Sequence, residues 1–196
     1  MRPLAFDRHR RHRHGLPAPR TRASFSSSYR RLGGQQEQPE FRPGAWDLVF
    51  AGGLVVELDE ELHFNRYRLL TLTSSWSDRL PWTEDYQRLC IEREGDCLRA
   101  GQWGRRWTSP SAARMFSGGP PADLNGDGAP RWKQRALYDA IKDSIASAEA
   151  GVALARVSIW DSVGDMILGA ALDGDPVDPR AVRALVERRS APDRQS

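Results

Sequence analysis

Apolar and polar positions alternate with period two over residues 46–50 and 54–59, which predicts two strands joined by the turn Ala51-Gly52-Gly53. In the second strand Leu54, Val56 and Leu58 share one face, read as the core face, while Val55, Glu57 and Asp59 share the other, which ends in carboxylates. From about residue 61 to 70 the period lengthens to a helical one, with Leu62, Tyr67, Leu69 and Leu70 among polar neighbours. Residues 71–130 hold four of the seven tryptophans with much Ser, Gly and Pro, and predict one short helix near 84–94 within irregular structure. Pro130 suits a first helical turn, so the next helix runs to about Ala148, ahead of Gly151. Residues 152–160 (VALARVSIW) read as a strand, Asp178-Pro179 opens a last helix ending near Arg189, and residues 190–196 fray. The sum is a single α/β domain over residues 34–175, with a mixed central sheet that begins at the hairpin and helices on its faces. A short helix and tail, 176–196, follow it.

Residues 1–33 complicate the charge. They carry nine arginines against the single acid Asp7, so the net charge of +3 conceals a body of 20 basic and 25 acidic residues. The basic balance is therefore a weak argument for nucleic acid. With RHRRHRH and few apolar residues the segment predicts a disordered Arg/His-rich tail, and its Arg and Ser content also suits an organelle transit peptide. No apolar run resembles a secretory signal or a membrane span, so the expected compartment is the cytoplasm. Of the 29 basic residues only Lys133 and Lys142 are lysines, which leaves two candidates for any chemistry that needs an ammonium. Cys90 and Cys97 read as core thiols, and with three of four histidines in the tail a structural zinc site lacks ligands.

A three-residue loop pairs Phe50 with Leu54, which sets Asp47 directly across from Glu57 on one face. Opposed like charges are destabilising unless a cation joins them. Few oxygen ligands at a solvent-open strand suit Mg²⁺ or Mn²⁺, with substrate phosphate completing the shell.

The run WDLVFAGGLVVELDEELH, Trp46 to His63, resembles the PD-(D/E)XK restriction-endonuclease-like superfamily, nearest the branch of the very-short-patch repair endonuclease. The resemblance implies a restriction-endonuclease-like fold and a Mg²⁺- or Mn²⁺-dependent nuclease acting on DNA or RNA, DNA foremost. It makes Asp47 and Glu57 the metal acids with the Leu58 carbonyl, Asp59 an auxiliary acid, and His63 a candidate for water activation. Trp46 replaces the superfamily's proline, and Asp59 stands where its lysine is expected.

The helix beginning at Pro130 offers a substitute. Leu137, Ile141, Ile145 and Ala148 form its apolar stripe, with Lys133 and Gln134 straddling the N-terminal end. Lys133 on that face either snorkels past the helix end or points into a site; Lys142, well round from the stripe, reads as an ordinary solvated lysine. Gln134 and Tyr138 match the Q-x-x-x-Y element of RecB-like members, which implies that Lys133 replaces the missing lysine and that Gln134 and Tyr138 contact phosphate or organise the site. Arg131, Arg105 and Arg106 are further candidate phosphate contacts, the last two lying between Trp103 and Trp107, although tryptophans that anchor a long loop are the commoner case. DLNGDG at 123–128 reads as a turn, since Gln134 falls where a calcium loop needs glutamate. The alternative function is a binding or scaffolding module that keeps the fold without catalysis.

Overall fold

Residues 130–148 set the plan of the molecule. In a computed structural model that describes residues 19–41, 44–148 and 153–191, the helix α6 (Pro130–Ala148) is buried on almost every side. Its stripe of Leu137, Ile141 and Ile145 packs against Phe25, Tyr29 and Leu32 at the helix α1 (Pro19–Arg31), and against Met115 and Phe116 at the end of α5 (Pro110–Met115). Two residues on from each stripe position, about 200° round the helix, Asp139 and Asp143 face the other way, toward a sheet.

That sheet is small and mixed. Strand β1 (Leu48–Val49) runs antiparallel to β2 (Leu54–Asp59), and β2 runs parallel to β3 (Ala153–Ser158), in the order β1-β2-β3. Leu48 faces Val56 and Val49 faces Val55, while the amide of Phe50 donates to the carbonyl of Leu54 at 2.8 Å. The predicted hairpin register is therefore the observed one.

The expected core face of β2 is a core face, but the face that ends in carboxylates is interior as well. Val55, Glu57 and Asp59 are buried, pointing at α6 and at the cluster around Phe64, Leu72, Trp82 and Tyr86. On the expected core face Val56 is buried and Leu54 and Leu58 are half-buried, packed with Ala155, Val157, Val163 and Leu168 and with Leu185 on α8 (Pro179–Arg188). The physical reason is that α6 carries its own acids and a lysine to the sheet, so charge meets charge in the interior and Asp59 lies deep rather than at a mouth.

Other expectations change at their ends. The helix expected at 61–70 is broken by Asn65, whose side chain accepts from the amides of Tyr67 and Arg68 and starts α2 (Arg66–Thr71) after a 3₁₀ turn. Within 71–130 the predicted helix is α3 (Thr83–Glu92), but α4 (Glu94–Gly101) and α5 also form, and Trp82 and Trp107 are buried anchors. The 123–128 turn delivers Gly128 to the start of α6 at φ 58°, where a Cβ would collide with the Tyr67 hydroxyl. After β3 come the β4–β5 hairpin (Ser162–Val163, Met166–Ile167) and α7 (Leu168–Leu172).

Two boundary expectations are corrected. Residues 19–33 are not a disordered tail: α1 buries Phe25 and Tyr29, while residues 1–18 lie outside the described ones. Residues 176–191 are integral, since Asp178 caps α8 and the amide of Ala191 donates to the carbonyl of Leu154 at 2.8 Å. Both cysteines are free and buried, each thiol pushed up to about 12 by burial. Among the described residues no helix is long and apolar enough to cross a membrane.

Candidate functional site

Where the face of β2 meets α6, the charges fall into two groups. The deeper group is sealed. Both oxygens of Asp59 accept from Nη1 of Arg156 at 2.8 Å, and the Tyr86 hydroxyl donates to Asp59 at 2.9 Å. Arg156 also reaches Asp143 through Nε at 2.6 Å and Asp139 through Nη2 at 3.2 Å, while Arg68 donates to Asp143 at 2.7 Å. Burial alone would raise the Asp59 and Asp139 carboxyls, yet Arg156 and the neighbouring His63 hold Asp59 below its usual range and Asp139 well below it. Arg156 is held well above its own ordinary range, because Asp143, Asp59 and Asp139 outweigh the burial that lowers it.

His63 is the hinge between the groups. Its Nδ1 lies 2.8 Å from Oδ2 of Asp139 and 3.0 Å from Oδ1 of Asp59. These three residues bring ligand atoms within 4.8 Å of one another and form a largely buried Asp-His-Asp group that could hold a metal ion. With Nδ1 turned inward, Nε2 across the ring is the nitrogen left to the cleft that His63 lines.

That cleft, about 510 Å³, is the second group. Asp47 and Glu57 line it from the hairpin; Arg131, Arg135, Tyr138, Asp139 and Lys142 line it from α6. The amide of Asp47 donates to Oε1 of Glu57 at 3.1 Å, and the amide of Leu58 donates to Oδ2 of Asp47 at 3.0 Å, so the hairpin locks both carboxylates side by side. Oε2 of Glu57 accepts from the Lys142 ammonium, which also lies 5.3 Å from the centre of the Trp46 ring. Burial pushes Glu57 up to about 7, against the pull of Arg156 and Lys142.

The two lysine assignments are thus exchanged. Lys133 does not enter the cleft: its Nζ lies 3.5 Å from the Ser117 carbonyl and 5.6 Å from the centre of the Tyr67 ring, and burial lowers its pKa. Lys142 is 8% exposed and is the ammonium at the acids. The solvated reading of Lys142 fails because the side of α6 that it occupies is covered by the β1–β2 hairpin, where it meets Glu57 and Trp46. Gln134 is also turned away, toward Met115 and Arg131, while Tyr138 and Arg131 reach the cleft and Arg105 and Arg106 line an adjoining cavity. Sequence reasoning did not single out Asp139 or Arg135, and it misplaced Lys142. The signal for two of them was present: Arg131, Arg135, Tyr138 and Lys142 recur at helical spacing, a polar stripe as regular as the apolar one.

No curated protein and no solved structure matches this chain. A family model does, over residues 27–173, which span the hairpin, α6, β3 and every cleft residue named above. The chain belongs to that family, described as a family of unknown function (DUF7255).

Proposed function

We propose that the protein is a divalent-metal-dependent nuclease of the restriction-endonuclease-like kind, hydrolysing phosphodiester bonds of DNA or RNA. The observation that carries this reading is the contact of Lys142 with Glu57 beside Asp47, which supplies from a helix the ammonium that the strand lacks. A mixed sheet whose antiparallel hairpin bears the acids, followed by a helix and a parallel strand, supports the fold assignment.

The donors fit a hard cation. Asp47, just ahead of β1, and Glu57 on β2 offer carboxylate oxygens at an open cleft that no cysteine or methionine lines among the described residues. In the Asp-His-Asp group Arg156 occupies both oxygens of Asp59, while at Glu57 the Asp47 amide and the Lys142 ammonium each hold one oxygen, so a cation at either site shares its ligands with donors of the chain. Mg²⁺ or Mn²⁺ bound at Asp47 and Glu57 supplies Lewis acidity toward a water and a phosphoryl oxygen. The chain's own groups do the rest. Nε2 of His63 takes a proton from the attacking water, with the ring held by the bond of Nδ1 to Asp139. The Lys142 ammonium faces the charge that grows on the phosphoryl oxygens as water's oxygen bonds to phosphorus and the bond to the leaving sugar oxygen breaks. That leaving oxygen ends as a hydroxyl, taking a proton from solvent.

Mn²⁺ titration by calorimetry, with Asp47→Ala and Glu57→Gln, together with cleavage assays on single- and double-stranded DNA and RNA, tests the reading. Binding lost in both variants and cleavage lost with it is the expected result. Metal binding that both variants retain ends the assignment. Metal bound with no cleavage of any substrate favours the binding module, which the occupation of both Glu57 oxygens by the Asp47 amide and Lys142 also suits.

A further inference from the structure

Arg105, Arg106, Arg131 and Arg135 line a second cavity, about 340 Å³, which adjoins the acidic cleft and shares Glu60, Arg131 and Arg135 with its wall. Arg66, Arg68, Arg88, Arg156 and Arg189 each hold a carboxylate. Among the described residues these four do not. Nη1 of Arg106 donates to the Ala100 carbonyl at 2.9 Å, and Arg131 donates to the neutral side chain of Gln134. Nη1 of Arg135 is buried with no hydrogen-bond partner. Glu60 and Glu61 also line the cavity, yet neither forms an ion pair with these arginines, so four guanidiniums face two carboxylates.

Burying a guanidinium nitrogen without an acceptor is unfavourable, and setting a second arginine beside it is more so. Burial and the nearby Arg135 both hold Arg131 below the usual guanidinium range. An anion in the cavity would relieve both costs. Guanidiniums match phosphate oxygens in paired hydrogen bonds, and four of them line this one cavity. Trp103, 64% exposed and two residues before Arg105, adds a face on which a base can stack.

We infer that this cavity is a phosphate subsite, which holds a second phosphate of a nucleic-acid strand while the reacting one lies at Asp47, Glu57 and Lys142. The inference rests on the proposed nuclease reading for what occupies the neighbouring cleft. The substrate class it selects is a single strand, or a strand end, able to turn one phosphate into the cavity beside the cleft.

The test is calorimetric binding of a thymidine tetranucleotide to the full chain without metal, so that no cleavage intervenes. The double variant Arg131→Gln/Arg135→Gln should weaken binding by about tenfold or more and lower the salt slope by about 0.7 for each phosphate that is no longer neutralised. Arg105→Glu, on an exposed residue that burdens no core, should weaken it in the same direction. Binding unchanged in both variants overturns the subsite. Tighter binding of the 5′-phosphorylated tetranucleotide than of its 5′-hydroxyl form assigns the pocket to a terminal phosphate, and equal binding to an internal one. Arginine-dependent binding without cleavage under any metal sinks the nuclease reading alone. Cleavage with arginine-independent binding sinks the subsite alone.

Discussion

Two charged regions meet at His63 and are built in opposite ways. In the sealed network Asp59, Asp139 and Asp143 are each held by Arg156, with Arg68 adding a second cation at Asp143. In the cleft, Glu57 has one ammonium, its carboxyl is pushed up to about 7, and the arginines at the rim form no ion pair among the described residues. Both regions are rich in charge, so richness does not distinguish them. What distinguishes them is charge pairing: in the first every carboxylate has an arginine partner, although Nε of Arg68 is left without an acceptor, and in the second the arginines have no carboxylate partner among the described residues.

Breaking the sealed side should have the largest effect. Arg156→Met leaves three buried carboxylates without their shared cation and should remove about 3–5 kcal/mol of stability, read from urea unfolding. A loss near zero would mean that the network is not what holds β3 to α6.

Lys142→Ala sharpens the other side. Cleavage should fall by about 10²-fold, the scale of one preorganised charge-stabilising group, while Mn²⁺ still binds. Unchanged cleavage would take Lys142 out of the chemistry and leave it as a partner for Glu57.

A smaller effect follows from the Glu57 carboxyl. Metal binding requires it ionised, so Mn²⁺ affinity should rise by about tenfold from pH 6 to pH 8 and level off above. Stability moves oppositely without metal. A carboxyl raised in the folded state contributes most below its ordinary value of 4.5 and loses that contribution as pH rises through about 7. Asp59 and Asp139, both lowered, contribute above their ordinary value of 3.8 and lose it as pH falls below that. Thermal melts across pH 3 to 8 should show Glu57→Gln removing only the upper slope. A pH-independent Mn²⁺ affinity would show that Glu57 is not a ligand.

The smallest effect belongs to Lys133→Ala, which should leave cleavage unchanged because its ammonium points to Ser117 and Tyr67. A loss matching that of Lys142→Ala would place Lys133 in the chemistry after all.

Much of the local structure was legible because it depends on neighbours in sequence. The glycines after Ala51 require a tight turn, so the hairpin and the pairing of Asp47 with Glu57 follow from counting. Pro130 at a helix start and Asp178 as a cap act within one turn, and both helices begin where expected. Of the helices that the pattern did not predict, α4, α5 and α7 are short, while α1 runs for 13 residues where a disordered tail was expected; α5 begins at the Ser109 cap, whose signal is hidden among the other serines and glycines.

By itself the sequence determined the hairpin, its register, its acids and the helix that follows, since each is set by period, turn chemistry or capping over a few residues. Only the tertiary structure decided that the carboxylate face of β2 is interior too, which lysine meets Glu57, and that Nη1 of Arg135 is buried without an acceptor. Those outcomes depend on α6 being enclosed by α1, α2, α5 and the sheet together, and enclosure is a property of long-range packing: a polar stripe reads as solvated until the elements that cover it are in place.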